Sequence, residues 1–204
     1  MRPQKKIGIL GGTFNPIHNG HLILAQNAVD ILELTQVQFI PCLNPPHKVA
    51  AGLLEARHRT AMVAAAIDDD LRFEMNEVEI QREGVSYAID TVSELREKDP
   101  KAAFYFIIGG DTLKELHLWR NIYDLLEMCT FVVFPRPPLN IDAITPESLQ
   151  LDPPWPERLL QNIFTGRQIE ISSSEIRYRI AEGMGIRYLV PRAVEMYIAE
   201  HSLY

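Results

Sequence analysis

A chain of 204 residues, 47% hydrophobic and 23% charged, has enough apolar side chain for a substantial core and lacks the polar bias of disorder. Its formal charge of −7 excludes a general attraction to nucleic acid or to an anionic membrane surface, so any polyanion it handles must be gripped by a local cluster of donors. No stretch approaches the roughly 20 apolar residues that span a bilayer, and Cys42 and Cys129 stand far apart with no CxxC spacing, which points to a reduced, cytoplasmic protein.

In chain order, the apolar run "KIGIL" (6–10) reads as a strand and is followed by "GGTFNPIHNGH" (11–21). A helical pattern over 21–34 then places Leu22, Ala25, Val29 and Leu32 on one face. The run "VQFIP" (37–41) is a second strand, and 53–67 a second helix with Leu54, Ala61 and Ala65 on its face, interrupted only at His58, which reads as structural. Further strands are expected at "LRFEM" (71–75), "AFYFIIG" (103–109) and "TFVVF" (130–134), and a weak one at "QIEI" (168–171); a helix over 87–98 holds Tyr87, Asp90 and Thr91. The segment 135–157 is rich in proline and too long for a simple connection, so it reads as a functional or mobile loop in which any helix is short. "SSSEIRYRIAEG" and "PRAVEMYIAEHSLY" read as two closing helices, the second opened by Pro191. Strands alternating with helices imply a Rossmann-like, doubly wound α/β fold with a mostly parallel sheet covered on both faces. The expected organisation is one domain over 1–204 with a small C-terminal helical part at 172–204.

In such a sheet ligands collect at the carboxyl ends of the strands, where "GGTFNPIHNGH" lies. Gly11 and Gly12 let the main chain approach a bound group, and the following helix turns unpaired N–H groups toward the same place. That combination is an anion site, although neither GxxxxGK[ST] nor GxGxxG is present. His18 and His21, three residues apart on one helix face, can both donate hydrogen bonds to a phosphate. A helix start with two incidental histidines is the plainer reading of the pair, and a zinc pair is disfavoured because no third ligand is evident nearby. Far downstream, "ISSSEIR" (171–177) begins a second helix at which Ser172, Ser173 and Ser174 can cap while N–H groups and Arg177 converge on an anion. Alone it would read as a serine cap beside a solvated arginine.

Together these stretches carry a resemblance. "GTFNPIHNGH" resembles the HxGH signature of the nucleotidyltransferase superfamily, and "ISSSEIR" that of its adenylyltransferases. The ordered set, with "PPHK" (45–48), "SYAIDT" (86–91), "IIGGD" (107–111), "HLW" (117–119), "RP" (136–137) and "LVPRAVEMYI" (189–198), is similar to the bacterial nicotinate mononucleotide adenylyltransferases nearly end to end.

The resemblance implies transfer of AMP from ATP to nicotinate mononucleotide, giving deamido-NAD and pyrophosphate. His18, His21 and Arg177 would be the catalytic residues. The ATP side would be served by Gly11, Gly12, Thr13, Phe14, Lys48, Gly109, Asp111, Arg136, Ser173 and Ser174. Tyr87, Ala88, Thr91 and Trp119 would hold the mononucleotide, Trp119 by stacking on the pyridine ring. Mg2+ would arrive bound to the ATP phosphates and largely hydrated, with no dedicated protein cage. The expected partners are these two small molecules, with no nucleic acid or membrane, and a homo-oligomer is left open. From the residues alone, Asp111 also reads as a helix N-cap and Trp119 as a core side chain. Three departures from the family pattern bear on the preference between acid and amide: Asn15 where aspartate is frequent, Ala88 where threonine is, and Cys42 near a common asparagine. An adenylyltransferase preferring nicotinamide mononucleotide and an inactive nucleotide sensor of the same fold are the alternatives.

Overall fold

Parallel strands buried on both faces need apolar side chains at every position, which is why five runs of this sequence become a five-stranded sheet. The computed structural model describes residues 4–46, 52–135, 143–167 and 169–204. In chain order these form β1 (Lys6–Gly12), α1 (Asn19–Leu32), β2 (Gln36–Pro41), α2 (Ala56–Ile67), β3 (Phe73–Met75), α3 (Val78–Arg82) and α4 (Ala88–Lys98). They continue through β4 (Ala103–Gly109), α5 (Gly110–Leu113), α6 (Ile122–Met128), β5 (Thr130–Phe134), α7 (Trp155–Gln161), α8 (Ser173–Ala181) and α9 (Arg192–Glu200). No helix among the described residues is long and apolar enough to cross a membrane.

All strand pairings are parallel and the order is β3-β2-β1-β4-β5. The chain therefore winds outward through β2 and β3, then returns to lay β4 on the other side of β1. A crevice opens between the carboxyl ends of β1 and β4, where strand order reverses.

Side-chain alternation divides the core in two. Ile7 and Ile9 of β1 pack on the face with Phe104, Phe106 and Ile108 of β4, under α4 and α6. Leu10, Val37, Phe39 and Ile107 face the other way, against α1, α2 and the C-terminal helices. Ile176, Val194 and Ile198 belong to this second cluster, so α8 and α9 are built into the main core. Gly8 sits where that cluster is tightest: a Cβ there would stand 2.8 Å from Leu34 Cδ1.

The structure departs from the expected elements at two places, the buried stripe of α2 and the weak strand at 168–171. The stripe buried on α2 is Arg59, Thr60, Met62, Val63, Ala66 and Ile67, a rotation away from Ala61 and Ala65. Residues 169–171 form no strand, and Gln168 lies outside the described residues. The outer side of β5 is instead met by a single bridge between Val133 and Ile163. The segment 135–157 contains a 3-10 turn at Pro146–Leu149 and the start of α7. His58 is structural as expected, its Nδ1 lying 3.0 Å from the Tyr197 hydroxyl, which ties α2 to α9.

Arg59 is the unexpected member of the core, only 1% exposed. Its guanidinium donates to the carbonyls of Thr13 (2.8 Å), Cys42 (2.7 Å), Leu43 (3.3 Å) and Leu54 (2.9 Å). Thr13 lies on the loop after β1, and Cys42, Leu43 and Leu54 lie at the two ends of the connection from β2 to α2, so one side chain ties two loops together. Replacing it by methionine keeps the apolar stem and strips the donors from buried carbonyls, each a penalty of about 1–3 kcal/mol. Arg59→Met is expected to lower the unfolding free energy by about 3 kcal/mol or more, read from urea denaturation. A loss below about 1 kcal/mol would mean that water replaces the guanidinium.

Candidate active site

The crevice at the β1 and β4 ends holds a cavity of about 400 Å³. Gly11, Gly12 and Thr13 from the end of β1, His18 and His21 from the start of α1, and Gly109 and Asp111 from the end of β4 all line it. Tyr87 and Ala88 at the start of α4, and Trp119, complete the predicted residues that line it.

The two histidines are held by the helix start itself. His18 is the N-cap of α1, with extended backbone, and its side chain is 3% exposed. Its N–H donates to His21 Nδ1 at 3.2 Å, so the imidazole fills the place that Glu or Gln takes in a capping box. With Nδ1 accepting, the proton of a neutral His21 sits on Nε2, which makes that nitrogen a donor. The rings stack with centroids 3.7 Å apart, and the Phe14 ring meets His21 edge-on at 5.0 Å. Phe14 is itself buried and not among the lining residues, and it adopts a left-handed φ of 46°. It supports His21 from below. Gly20 explains the spacing of the motif: a Cβ there would stand 3.0 Å from His18 Nδ1 and 3.1 Å from Cε1.

The downstream motif reaches the same loop. Ser172 is the N-cap of α8 and accepts from the Glu175 N–H at 3.1 Å. Ser173 donates through Oγ to the Pro16 carbonyl at 2.8 Å, and Arg177 donates to the Asn15 carbonyl at 2.7 Å and to Ser174 Oγ at 3.2 Å. The loop carrying His18 and the helix carrying Arg177 are therefore bonded together. Ser173, Ser174 and Arg177 stand beside the cavity rather than in its lining, which they share only through Ile171. From the other side the Asn19 side chain and main chain donate to the carbonyls of Tyr188 and Leu189, each at 2.9 Å.

On β4, Gly109 is the N-cap of α5 and Asp111 lies in its first turn, so the aspartate is not the cap. A Cβ at Gly109 would come within 2.6 Å of Asp111 Oδ1, so a glycine is needed to seat that carboxylate. Trp119 meets Phe106 and Phe131 edge-on, at 5.7 and 6.1 Å, and remains half-buried at the cavity wall. Thr91 stands apart from the predicted substrate side. It is 1% exposed, outside the lining, and its hydroxyl donates to Glu79 Oε1 at 2.7 Å. Lys48 and Arg136 lie outside the described residues.

Several lining residues went unread in the sequence: Asn27, Glu79, Ser86, Arg120 and Arg167. Burial raises the Glu79 carboxyl above the ordinary range, against the opposing hydrogen bonds from Thr91 and Ser86. Burial also raises the Cys42 thiol to about 11 despite the nearby Arg59 cation, so it lines the cavity as a neutral, inert group. Of these only Ser86 falls in a motif quoted above, as the first residue of "SYAIDT", and it was given no role there.

Three comparisons bear on this site. The cytidylyltransferase-like family model matches residues 9–179. A protein of Pelobacter propionicus named "Probable nicotinate-nucleotide adenylyltransferase" is 44% identical, the match covering 98% of each chain. One of the same name from Halalkalibacterium halodurans is 42% identical over 98% of this chain and 92% of its own. The solved structure of Plasmodium falciparum nicotinic acid mononucleotide adenylyltransferase complexed with NaAD shares the fold, with a TM-score of 0.77 at 20% identity over 98% of both chains.

The contact at Gly20 yields a test of the histidine geometry. Gly20→Ala is expected to lower turnover with ATP and a pyridine mononucleotide about tenfold or more, because a displacement of about 1 Å in a positioning group has large rate effects. Its melting temperature should stay within a few degrees of the parent. Unchanged turnover would mean that the His18 ring position is unimportant.

Proposed function

We propose adenylyl transfer from ATP to nicotinate mononucleotide as the reaction of this chain, which belongs to the cytidylyltransferase-like family and to the nicotinate-nucleotide adenylyltransferases. The products are deamido-NAD and pyrophosphate, a step of NAD biosynthesis. The observation that carries this reading is the meeting of His18 and His21 with the start of α8 on one loop, at the mouth of a cavity that also holds Asp111 and Trp119.

A phosphate oxygen of the mononucleotide attacks the α-phosphorus of ATP; a new P–O bond forms as the bond from that phosphorus to the bridging oxygen of the β-phosphate breaks. The nucleophile is already an anion, so no general base is needed and the protein contributes alignment and charge stabilisation. His18 and His21 donate to the non-bridging oxygens of the α-phosphate, on which negative charge grows. Gly11 and Gly12 let the phosphates approach the main chain at the start of α1, and Thr13 lies on the same path. Arg177, Ser173 and Ser174 serve the pyrophosphate side, with Lys48 and Arg136 expected there too. Mg2+ enters as the counter-ion of ATP. Among the described residues no three His, Cys, Asp or Glu side chains group as a metal site; the ion would be held by the phosphate oxygens of ATP and by water, and would offset their charge. Asp111 takes a ribose hydroxyl beside Gly109, and the Trp119 indole stacks on the pyridine ring. The buried, unpaired cysteines suit a reducing compartment such as the cytoplasm.

Pyrophosphate release from ATP with nicotinate mononucleotide tests the reading directly; no release with either pyridine mononucleotide would favour a sensor. His21→Ala is expected to lower kcat at least about a hundredfold with the fold retained by circular dichroism, the scale of removing one transition-state donor. Near-parental kcat would remove His21 from the mechanism. Trp119→Ala should raise KM for the mononucleotide several-fold more than KM for ATP, and equal effects in steady-state kinetics would make the indole structural.

A further inference from the structure

The wall that holds Trp119 carries a cation that no part of the reaction above uses. Arg120 follows Trp119 in the chain, lines the same cavity and is exposed to it. Its guanidinium carbon lies 4.6 Å from the centroid of the Tyr87 ring. Tyr87 is the N-cap of α4 and Ala88 its first residue, so the guanidinium is moored at a helix start that also lines the cavity. Stacking on an aromatic face fixes the plane of an arginine while leaving its N–H edges available. Among the described residues no carboxylate pairs with Arg120. The other arginine in the lining, Arg167, follows Gly166, which packs near Asn27 and Phe134.

A charged donor at this place answers a deficit in the wall. Ala88 and Cys42 line the cavity and offer no strong side-chain donor. Of the carboxyls near this helix start, Asp90 in the first turn of α4 is not in the cavity lining, and Glu79, which is, is buried, accepts from Thr91 and is shifted toward its neutral form, which weakens its repulsion of an incoming anion.

We infer that Arg120, moored on the Tyr87 ring beside Trp119, is the side chain that selects the acid over the amide by pairing with the carboxylate on the pyridine ring. This rests on the reaction proposed above and names its specificity device. A planar guanidinium matches a carboxylate through two parallel N–H···O bonds, and a carboxamide offers one acceptor and turns a donor toward the same edge. The cation therefore discriminates through both an attraction to one substrate and a mismatch with the other.

The test is kcat/KM of the unaltered protein, Arg120→Ala and Arg120→Lys with nicotinate mononucleotide and with nicotinamide mononucleotide, ATP saturating. The parent should prefer the acid. Arg120→Ala should reduce the acid-to-amide ratio at least about tenfold, the scale of one hydrogen bond to a charged group, with kcat/KM for the amide unchanged or raised. Arg120→Lys should recover part of the ratio through its charge alone. An unchanged ratio in Arg120→Ala overturns the inference and leaves the reaction standing. An equal fall for both mononucleotides also overturns it, since the contact would then be to the phosphate or ribose they share. A parent that prefers the amide overturns it as well. A parent that turns over neither overturns the reaction and the inference together.

Discussion

A single buried guanidinium sets the shape of the mouth of this sheet. The carbonyls that follow β1 and β2 have left the ladder, and Arg59 gathers those of Thr13, Cys42 and Leu43 together with Leu54. A buried cation normally requires a carboxylate, and burial does weaken this one's hold on its proton. Carbonyl dipoles on several sides replace the lost water without adding a negative charge beside the cavity that Thr13 and Cys42 line.

Asn15 is the second junction, and it accounts for a departure from the family pattern. Its Nδ2 donates to the Gly52 carbonyl at 2.9 Å, while Oδ1 accepts from the Leu54 N–H at 3.2 Å and the Tyr204 hydroxyl at 2.8 Å. An ionised aspartate could accept from Leu54 and Tyr204 but could not donate to Gly52, so the amide serves a carbonyl as well as two donors. Burial lifts the Tyr204 phenol above its ordinary range, which keeps it protonated and donating. The Asn15 main-chain carbonyl accepts from Arg177, so the loop before α1 is braced at one point by the segment leading into α2, by α8 and by Tyr204. A catalyst that works by alignment depends on such bracing more than on any single reactive group.

The roles of the predicted residues divide along the same line. His18, His21, Asp111 and Trp119 face the cavity, whereas Phe14 and Thr91 act from behind it, Phe14 against the His21 ring and Thr91 on Glu79. Arginine at position 120 extends the facing group. These assignments follow from burial and hydrogen bonding, which a motif does not encode.

What the sequence by itself determined is local and repetitive: five strands from continuous apolar runs, the helices between them, and two helix starts rich in donors, because side-chain periodicity and capping chemistry act over a few residues. The family pattern joined those starts into one reaction, although nothing in the spacing of His21 and Arg177 required them to meet. Only the tertiary structure decided that α8 docks on Asn15 and Pro16, that α2 turns Arg59 inward in place of Ala61, and that no strand forms over residues 169–171. Each of these depends on which groups remain unsatisfied once the sheet is assembled: carbonyls just past the strands and in the loop before α1 take Arg59, Ser173 and Arg177, and Ile163 takes the bridge to β5. Such demands come from residues distant in the chain and exist only once the fold has brought them together.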